Sequence, residues 1–135
     1  DPDTCRTQQY RWCVLPQGFS ESPNLFGQAL EQVLVEFEPP EGILVLQYVD
    51  DLLISGEKKK DVEIGINALL NFLGKQGLRV SKKKLQYVES EVKYLGYLIS
   101  HCSKRIDPER IEGIVRQPIP KTKKDVRKFL GLLGY

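Results

Sequence analysis

Apolar residues recur at helical spacing in two stretches of this chain. Over residues 26–37 they fall three or four positions apart, so that they share one face of a helix. Ser22 precedes this stretch and is a suitable N-cap, because its hydroxyl can accept a backbone N–H of the first turn. Over residues 62–73 the same spacing predicts a second helix, which we expect to end near Gly74 or Gly77.

Between the two predicted helices the pattern changes to short runs of branched apolar residues. The segments ILVLQYV and LLIS flank Asp50 and Asp51, which predicts a β-hairpin with both aspartates at its turn. Further along, GLRVSKKKLQYV and EVKYLGYLIS have the character of short strands. Since the strands are neighbours in sequence, we expect antiparallel pairing and an α+β fold with helices on one face of the sheet.

After Ser100 the sequence predicts two short helices separated by the segment QPIPKT. Asp107 is placed to cap the first helix and Thr122 to cap the second. Asp125 stands three residues after Thr122, at the position of the acidic partner in a capping box. The last third of the sequence is therefore expected to be helical and basic.

The net charge of +2 conceals a strong asymmetry. Residues 1–57 carry two basic and ten acidic side chains, whereas residues 58–135 carry 18 basic and eight acidic ones. Such a gradient indicates a polyanionic partner such as nucleic acid. The lysine runs at 58–60 and 82–84 are equally compatible with solvated surface, so charge alone leaves both interpretations open.

Three cysteines, Cys5, Cys13 and Cys102, lack the spacing of paired metal ligands, which indicates free thiols in a reducing compartment. His101 and Cys102 are adjacent, but the sequence offers them no second ligand pair, so small residues near a turn are favoured over a metal site. No apolar stretch is long enough to cross a membrane.

The adjacent carboxylates of Asp50 and Asp51 need an explanation, because burying an unpaired carboxylate costs several kcal/mol. On a hairpin tip they can bind Mg²⁺, which takes oxygen ligands and shares its shell with phosphates. Two such ions can clamp the attacking and leaving oxygens of a phosphoryl transfer. Structural turns and calcium sites use the same residues, so these alternatives stay open. P-loop ATPases also carry aspartates after an apolar strand, but their G-x-x-x-x-G-K-[ST] segment is absent from this sequence.

Five ordered blocks are more informative together than any one of them: LPQGFSESPNLF, QYVDDLLIS, GLRVSKKK, VKYLGYLIS and PKTKKDVRKFLGLLGY. In this order they resemble the reverse transcriptases of retroviruses and related retroelements, most closely those of gammaretrovirus type, including endogenous copies. The resemblance extends over essentially the whole chain. It implies an α+β right-hand polymerase fold, with residues 1–100 as the C-terminal part of the palm and residues 101–135 as the start of a helical thumb.

The resemblance also implies roles for individual residues. Asp50 and Asp51 match the aspartates that bind two catalytic Mg²⁺ ions, for which Mn²⁺ can substitute, and Lys84 matches a lysine that assists pyrophosphate departure. The residues expected to line the nucleotide and template pocket are Gln17, Gly18, Tyr48, Val49 and Lys83. Those expected to form the primer grip are Tyr94, Leu95, Gly96 and Tyr97. The thumb residues expected to contact the nucleic-acid backbone are Lys124, Arg127 and Lys128.

Taken without the resemblance, several of these residues have ordinary structural interpretations. The YLGY segment reads as a strand with aromatic packing, although Gly96 can let a backbone approach closely. Lys83 and Lys84 fit a solvated loop as well as a phosphate-facing one. Gln17 alone predicts only a turn.

The partners implied by the resemblance are an RNA or DNA template with its primer, deoxynucleoside triphosphates, and the rest of the polyprotein, namely the fingers, the first palm aspartate and RNase H. The third metal aspartate of the family precedes the LPQG block on an apolar strand, whereas Asp1 and Asp3 match a loop position. We therefore expect a fragment that is inactive in isolation, located in the cytoplasm or a virion and not in a membrane. The alternative is a non-catalytic endogenous retroviral remnant that binds nucleic acid weakly at most.

Overall fold

The computed structural model describes residue 7 and residues 9–134. The chain divides into two compact units, the first ending at Leu85 and the second beginning at Gln86. This division reflects packing within the chain. The palm–thumb border near residue 100 stays a prediction.

The first unit contains two helices and a hairpin: α1 (Ser22–Val35), β1 (Ile43–Tyr48), β2 (Asp51–Gly56) and α2 (Lys59–Lys75). The strands pair antiparallel, with Tyr48 opposite Asp51. This register leaves Val49 and Asp50 as a two-residue turn, so that Asp50 lies in the turn and Asp51 opens β2. The predicted hairpin and the predicted end of α2 are confirmed.

Both helices of the first unit pack on one face of the hairpin. Leu30 of α1 and Leu69 and Leu73 of α2 form its buried centre, each at most 5% exposed. Partly buried apolar residues from the hairpin and the helix ends pack around them: Leu34, Phe37, Val45, Leu52, Ile54, Phe72 and Leu78. Along β1 the burial alternates, because successive side chains of a strand point to opposite faces. Apolar burial thus holds the hairpin against the helices.

The second unit contains a three-stranded antiparallel sheet and two helices: β3 (Glu91–Tyr94), β4 (Tyr97–Ser100), β5 (Lys104–Ile106), α3 (Pro108–Val115) and α4 (Lys123–Leu133). Tyr94 pairs with Tyr97, which leaves Leu95 and Gly96 as the turn between β3 and β4. The predicted antiparallel pairing and the α+β class are confirmed. The strands of the two units form two separate sheets.

Both predicted caps in the second unit are present. The carboxylate of Asp107 accepts the backbone N–H of Glu109 at the start of α3. At the start of α4, the Thr122 hydroxyl accepts the Asp125 N–H, and the Asp125 carboxylate accepts the Thr122 N–H, both at 3.1 Å. This reciprocal pair is the capping box expected from the sequence.

Two expectations about local structure are corrected, and one strand is added. The N-cap of α1 is Glu21 and not Ser22. The Ser22 hydroxyl donates instead to the Pro16 carbonyl at 2.8 Å. Residues 77–88 contain no strand, because the N–H groups of Lys84 and Leu85 both donate to the Ser81 carbonyl and close a turn. Strand β5 has no apolar alternation and was not expected.

Cys13 and Cys102 are free, as predicted, and both are exposed, while Cys5 lies outside the described residues. Among the residues that the structure describes, no helix is long and apolar enough to span a membrane.

Candidate active site

The turn that carries Asp50 has an unusual backbone. Val49 has a φ of +54°, a conformation that β-branched residues rarely adopt. Positive φ at the first central residue alone is the pattern of a type II′ hairpin turn, which normally takes glycine there. Such a conformation costs about 1–3 kcal/mol and persists only where the surroundings hold it.

Two residues outside the YVDD segment hold this turn in place. The side-chain amide of Gln47 donates to the Val49 carbonyl at 2.9 Å and to the Gly27 carbonyl of α1 at 3.0 Å. A Cβ atom on Gly27 would lie only 3.3 Å from Val49 Cα, so a side chain there would push helix and turn apart. Helix α1 is therefore packed directly against the turn, and Gln47 ties the two together.

Sequence reasoning missed Gln47 and Gly27, although both leave a signal. Gln47 is a polar residue inside the otherwise apolar run ILVLQYV, and Gly27 interrupts a helical pattern where alanine would favour the helix by up to about 1 kcal/mol. Each exception to the pattern marks a contact to the strained turn.

Asp50 and Asp51 are both exposed, and neither forms a salt bridge within the described part of the chain. Their two carboxylates are therefore available to an external cation. Hard oxygen donors of this kind fit Mg²⁺ or Mn²⁺ as part of a coordination shell. The described residues contain no group of three His, Cys, Asp or Glu side chains that could complete a metal site. Asp1 and Asp3 lie outside those residues.

The predicted pocket residues Gln17 and Gly18 lie in the turn that leads into α1. The Phe19 N–H donates to the Pro16 carbonyl across this turn, and Gly18 has a φ of +84°. Tyr48, also assigned to the pocket, is 58% exposed at the end of β1. Tyr48 and Val49 immediately precede Asp50 in the sequence and therefore lie beside it. Among the described residues, no hydrogen bond joins the turn of Gln17 and Gly18 to Asp50 or Asp51.

Lys83 and Lys84 are exposed on the turn that Ser81 closes. Within the described residues, neither forms a salt bridge with Asp50, Asp51 or any other carboxylate. Their expected action on pyrophosphate stays a prediction.

The segment predicted as the primer grip forms the β3–β4 hairpin. Leu95 and Gly96 have φ values of +52° and +78°, the pattern of a type I′ turn. The Gly96 carbonyl accepts the Asp107 N–H at 3.1 Å, which joins this turn to the start of α3. Lys93 of β3 reaches the same helix end, with its Nζ 3.6 Å from Asp107 Oδ2 and 3.1 Å from Glu109 Oε1. These two carboxylates raise the pKa of the Lys93 ammonium, and the hydrogen bond that Lys93 donates to Glu109 contributes most.

A sequence profile of the family described as reverse transcriptase (RNA-dependent DNA polymerase) matches residues 3–99. The chain belongs to this reverse transcriptase family. Curated relatives include the Gag-Pol polyproteins of baboon endogenous virus (strain M7), at 43% identity, and of gibbon ape leukemia virus, at 42% identity, each aligned with all of this chain. The chain spans 8% of the length of either polyprotein. The resemblance to gammaretroviral enzymes is thus confirmed.

Solved reverse transcriptase structures share this fold. A foamy viral protease-reverse transcriptase (dRH) in complex with double-stranded DNA superimposes with a TM-score of 0.76 at 30% identity, covering 90% of this chain and 20% of that one. A foamy viral protease-reverse transcriptase in complex with an RNA/DNA hybrid gives 0.70 at 31% identity, covering 90% of this chain and 16% of the other. Both the sequence and the structure therefore place the chain among reverse transcriptases.

The basic residues of this reverse transcriptase chain that were assigned to the nucleic-acid backbone lie on α4. Lys124, Arg127 and Lys128 are exposed, and none forms a salt bridge in the described part of the chain. Lys128 lies near enough to Asp125 to help lower the pKa of that carboxyl, and Lys124 and Arg127 form no salt bridge with any described residue, so this helix presents exposed positive charge.

Proposed function

We propose that this chain supplies the metal-binding turn, the primer-grip hairpin and the first thumb surface of a polymerase that copies RNA or DNA templates into DNA. The observation that carries this proposal is the β1–β2 turn. It presents two exposed aspartates, neither of them ion-paired with a described residue, on a strained backbone that Gln47 and Gly27 hold in place. Membership of the reverse transcriptase family supplies the reaction class.

In this proposal Asp50 and Asp51 hold Mg²⁺, or Mn²⁺ in its place. Bound ions of this kind neutralise the developing charge of a phosphoryl transfer and orient its attacking and leaving oxygens. The chain's own contribution is rigidity, because a misplacement of about 1 Å can lower such a rate by about a hundredfold. The amide of Gln47 restrains the turn, and the exposed Tyr48 and the half-buried Val49 stand beside it as candidates to contact the primer end and the incoming nucleotide.

Asp50 and Asp51 alone give only part of a two-ion shell. We expect the isolated 135-residue chain to bind Mg²⁺ weakly, roughly in the millimolar range. Primer extension by this chain is expected to stay at background. Isothermal titration calorimetry checks the first expectation, and micromolar affinity that survives Asp50→Asn would contradict it.

The catalytic role is tested in a longer polyprotein chain that also carries the fingers and the complete palm. Asp50→Asn and Asp51→Asn are each expected to reduce primer extension by orders of magnitude, because preorganised charge supplies most of the rate enhancement in phosphoryl transfer. Glu57→Gln is a matched control, since Glu57 is an exposed carboxylate just beyond β2. Near-normal extension by either aspartate variant would remove these residues from the catalytic role.

The α4 cations and the β3–β4 hairpin complete the proposal as surfaces for the primer–template duplex. Their support is the exposure of Lys124, Arg127 and Lys128 and the absence of a salt bridge from any of them to a described carboxylate. Binding through such cations is driven by phosphate contacts, so it is expected to depend steeply on salt and little on sequence.

A further inference from the structure

Three hydroxyl side chains directly precede two or more basic residues in the sequence, namely Ser81, Ser103 and Thr122. Two of them are engaged. The Thr122 hydroxyl accepts the Asp125 N–H in the capping box of α4, and the Ser103 hydroxyl lies 2.7 Å from the Ser100 hydroxyl in the β4–β5 turn. The Ser81 side chain is exposed, and its hydroxyl forms no hydrogen bond with any described residue.

Ser81 lies in a segment without helix or strand, between two anchored residues. Leu78 packs against the buried centre of the first unit, and the Gln86 side chain bonds the backbone of Lys93 in the second. Residues 79–84 between them are exposed, and the turn they form is closed by two hydrogen bonds to the Ser81 carbonyl. The segment can therefore extend by breaking two exposed hydrogen bonds, without removing a buried apolar side chain from the core.

The charges around Ser81 complete the pattern of a kinase substrate. Arg79 stands two positions before the hydroxyl and Lys82, Lys83 and Lys84 follow it, whereas neither Ser103 nor Thr122 has a cation two positions before it. Kinases select substrates by the charge pattern around the acceptor, and a kinase with an acidic cleft favours cations on both sides. Such an enzyme transfers the γ-phosphoryl group of ATP. The bond from that phosphorus to ADP breaks, a bond to the serine Oγ forms, and the hydroxyl proton passes to a catalytic aspartate of the kinase.

We propose that Ser81 is a phosphorylation site for a serine/threonine kinase that selects basic substrates, and that the phosphate silences the adjacent lysines. A phosphoserine carries about 1.5–2 negative charges at neutral pH and can accept charge-assisted hydrogen bonds from ammonium groups beside it. It would offset up to about half of the charge of the four neighbouring cations. The effect on catalysis rests on the proposed function, together with the role in pyrophosphate departure that the resemblance implies for Lys84.

The site is tested on the 135-residue chain with a purified kinase of this class and ATP, and mass spectrometry locates the phosphate. We expect it on Ser81. Ser81→Ala should reduce incorporation to background and Ser81→Thr should restore it, while Ser103→Ala keeps the wild-type level. Circular dichroism verifies that each variant folds.

A pair of charge variants tests the recognition. Arg79→Glu with Lys82→Glu should slow the modification, because both cations flank the acceptor. Lys123→Glu with Lys124→Glu changes the net charge equally beside the engaged hydroxyl of Thr122 and should leave the rate unchanged. Absence of incorporation, phosphate on Ser103 or Thr122 in place of Ser81, or equal rates for the two double variants would overturn the assignment of Ser81.

The effect on catalysis is tested in the longer polyprotein chain that carries the fingers and the complete palm. Treatment with the kinase should slow primer extension by the wild type and leave Ser81→Ala unaffected. Equal extension before and after stoichiometric phosphorylation would overturn the silencing of the lysines. The proposed function is judged separately, since it fails only if Asp50→Asn and Asp51→Asn retain extension, whatever the response to the kinase.

Discussion

The two hairpins of this chain have turns of the same length, yet different forces hold them. The β1–β2 hairpin lies against two helices that bury Leu30, Leu69 and Leu73. In the described part of the second unit no apolar residue is fully buried, and Asp107 is the buried residue nearest to the β3–β4 turn. That hairpin is held by ion pairs and by backbone hydrogen bonds. Apolar burial is not weakened by ionic screening, whereas exposed ion pairs are.

This difference matches what each hairpin is proposed to do. A metal site needs its carboxylates fixed, and a strained residue such as Val49 persists only on a well-packed support. A surface that follows a duplex needs unpaired cations more than it needs a core. The second unit, with ten basic and six acidic side chains, supplies them. Rigidity and charge are thus concentrated in different parts of the chain.

The largest expected effect comes from removing the apolar support of the first hairpin. Leu69 is 3% exposed, and Leu69→Ala should reduce the free energy of unfolding by about 2–5 kcal/mol through lost burial and a cavity. Val115→Ala is the control on α3, where the side chain is 75% exposed and the cost should stay within about 0.5 kcal/mol. Urea denaturation followed by circular dichroism measures both, and similar losses would contradict the contrast between the units.

The sequence predicted the elements whose pattern is local. Apolar periodicity located α1 and α2, the branched runs located β1 and β2, and the capping residues located the starts of α3 and α4. It failed where a long-range or backbone contact decides the outcome. Strand β5 consists of Lys104, Arg105 and Ile106, and it forms by pairing with β4 rather than by apolar alternation.

The candidate site was predictable in part for the same reason. The resemblance singled out Asp50 and Asp51 because they form a contiguous motif. Gln47 and Gly27 act across 20 residues of sequence, and their role depends on a packing contact that no local pattern contains. The meeting of Arg110 with Gly96 and Tyr97 likewise depends on how α3 folds back on the hairpin.

The second prediction concerns the charge of α4. Changing Lys124, Arg127 and Lys128 to Glu should flatten the log–log salt slope of duplex binding by about 2.7, the loss of three phosphate contacts. At about 0.1 M salt this corresponds to a loss of affinity of roughly several hundredfold. The matched control changes Lys58, Lys59 and Lys60, which are exposed in the first unit, to Glu. Anisotropy curves that coincide for the two triple variants would assign the effect to net charge and remove α4 from the interface.

The third prediction uses two glutamines that each bridge backbone groups. Gln47 ties the β1–β2 turn to α1 and is half-buried, whereas Gln86 bonds both backbone groups of Lys93 at 2.7 Å on an exposed edge. Gln47→Leu should cost about 1–2 kcal/mol because two carbonyls lose their donor, and Gln86→Leu less than about 1 kcal/mol because water replaces the amide. Chemical denaturation gives the two values. Unchanged NMR shifts of the Val49 and Asp50 amides in Gln47→Leu would show that the turn does not depend on this side chain.

The smallest expected effects are those of exposed charges in the second unit, and their pH dependence runs in opposite directions. The hydrogen bonds from Thr122 lower the pKa of the Asp125 carboxyl, so Asp125 stabilises α4 above its unfolded pKa, and this contribution is lost as pH falls through the lower folded value. Lys93 has a raised pKa, so its contribution is present below its unfolded pKa and is lost as pH rises through the higher folded value. Acid should therefore loosen α4 and strong base the β3–α3 contact.

Thr122→Ala separates the capping contribution from the rest. It removes the main cause of the lowered Asp125 pKa together with the cap, so it should cost about 1 kcal/mol at neutral pH and progressively less as the solution is made acidic. Lys93→Gln serves as the comparison, because the raised pKa of Lys93 keeps this side chain charged at neutral and acid pH, so its cost is not tied to the charge of Asp125. Hydrogen exchange of the α4 amides across this pH range measures the contribution of the cap to the stability of this helix. A Thr122→Ala cost that stays constant between neutral and acid pH would show that the cap does not act through the charge of Asp125.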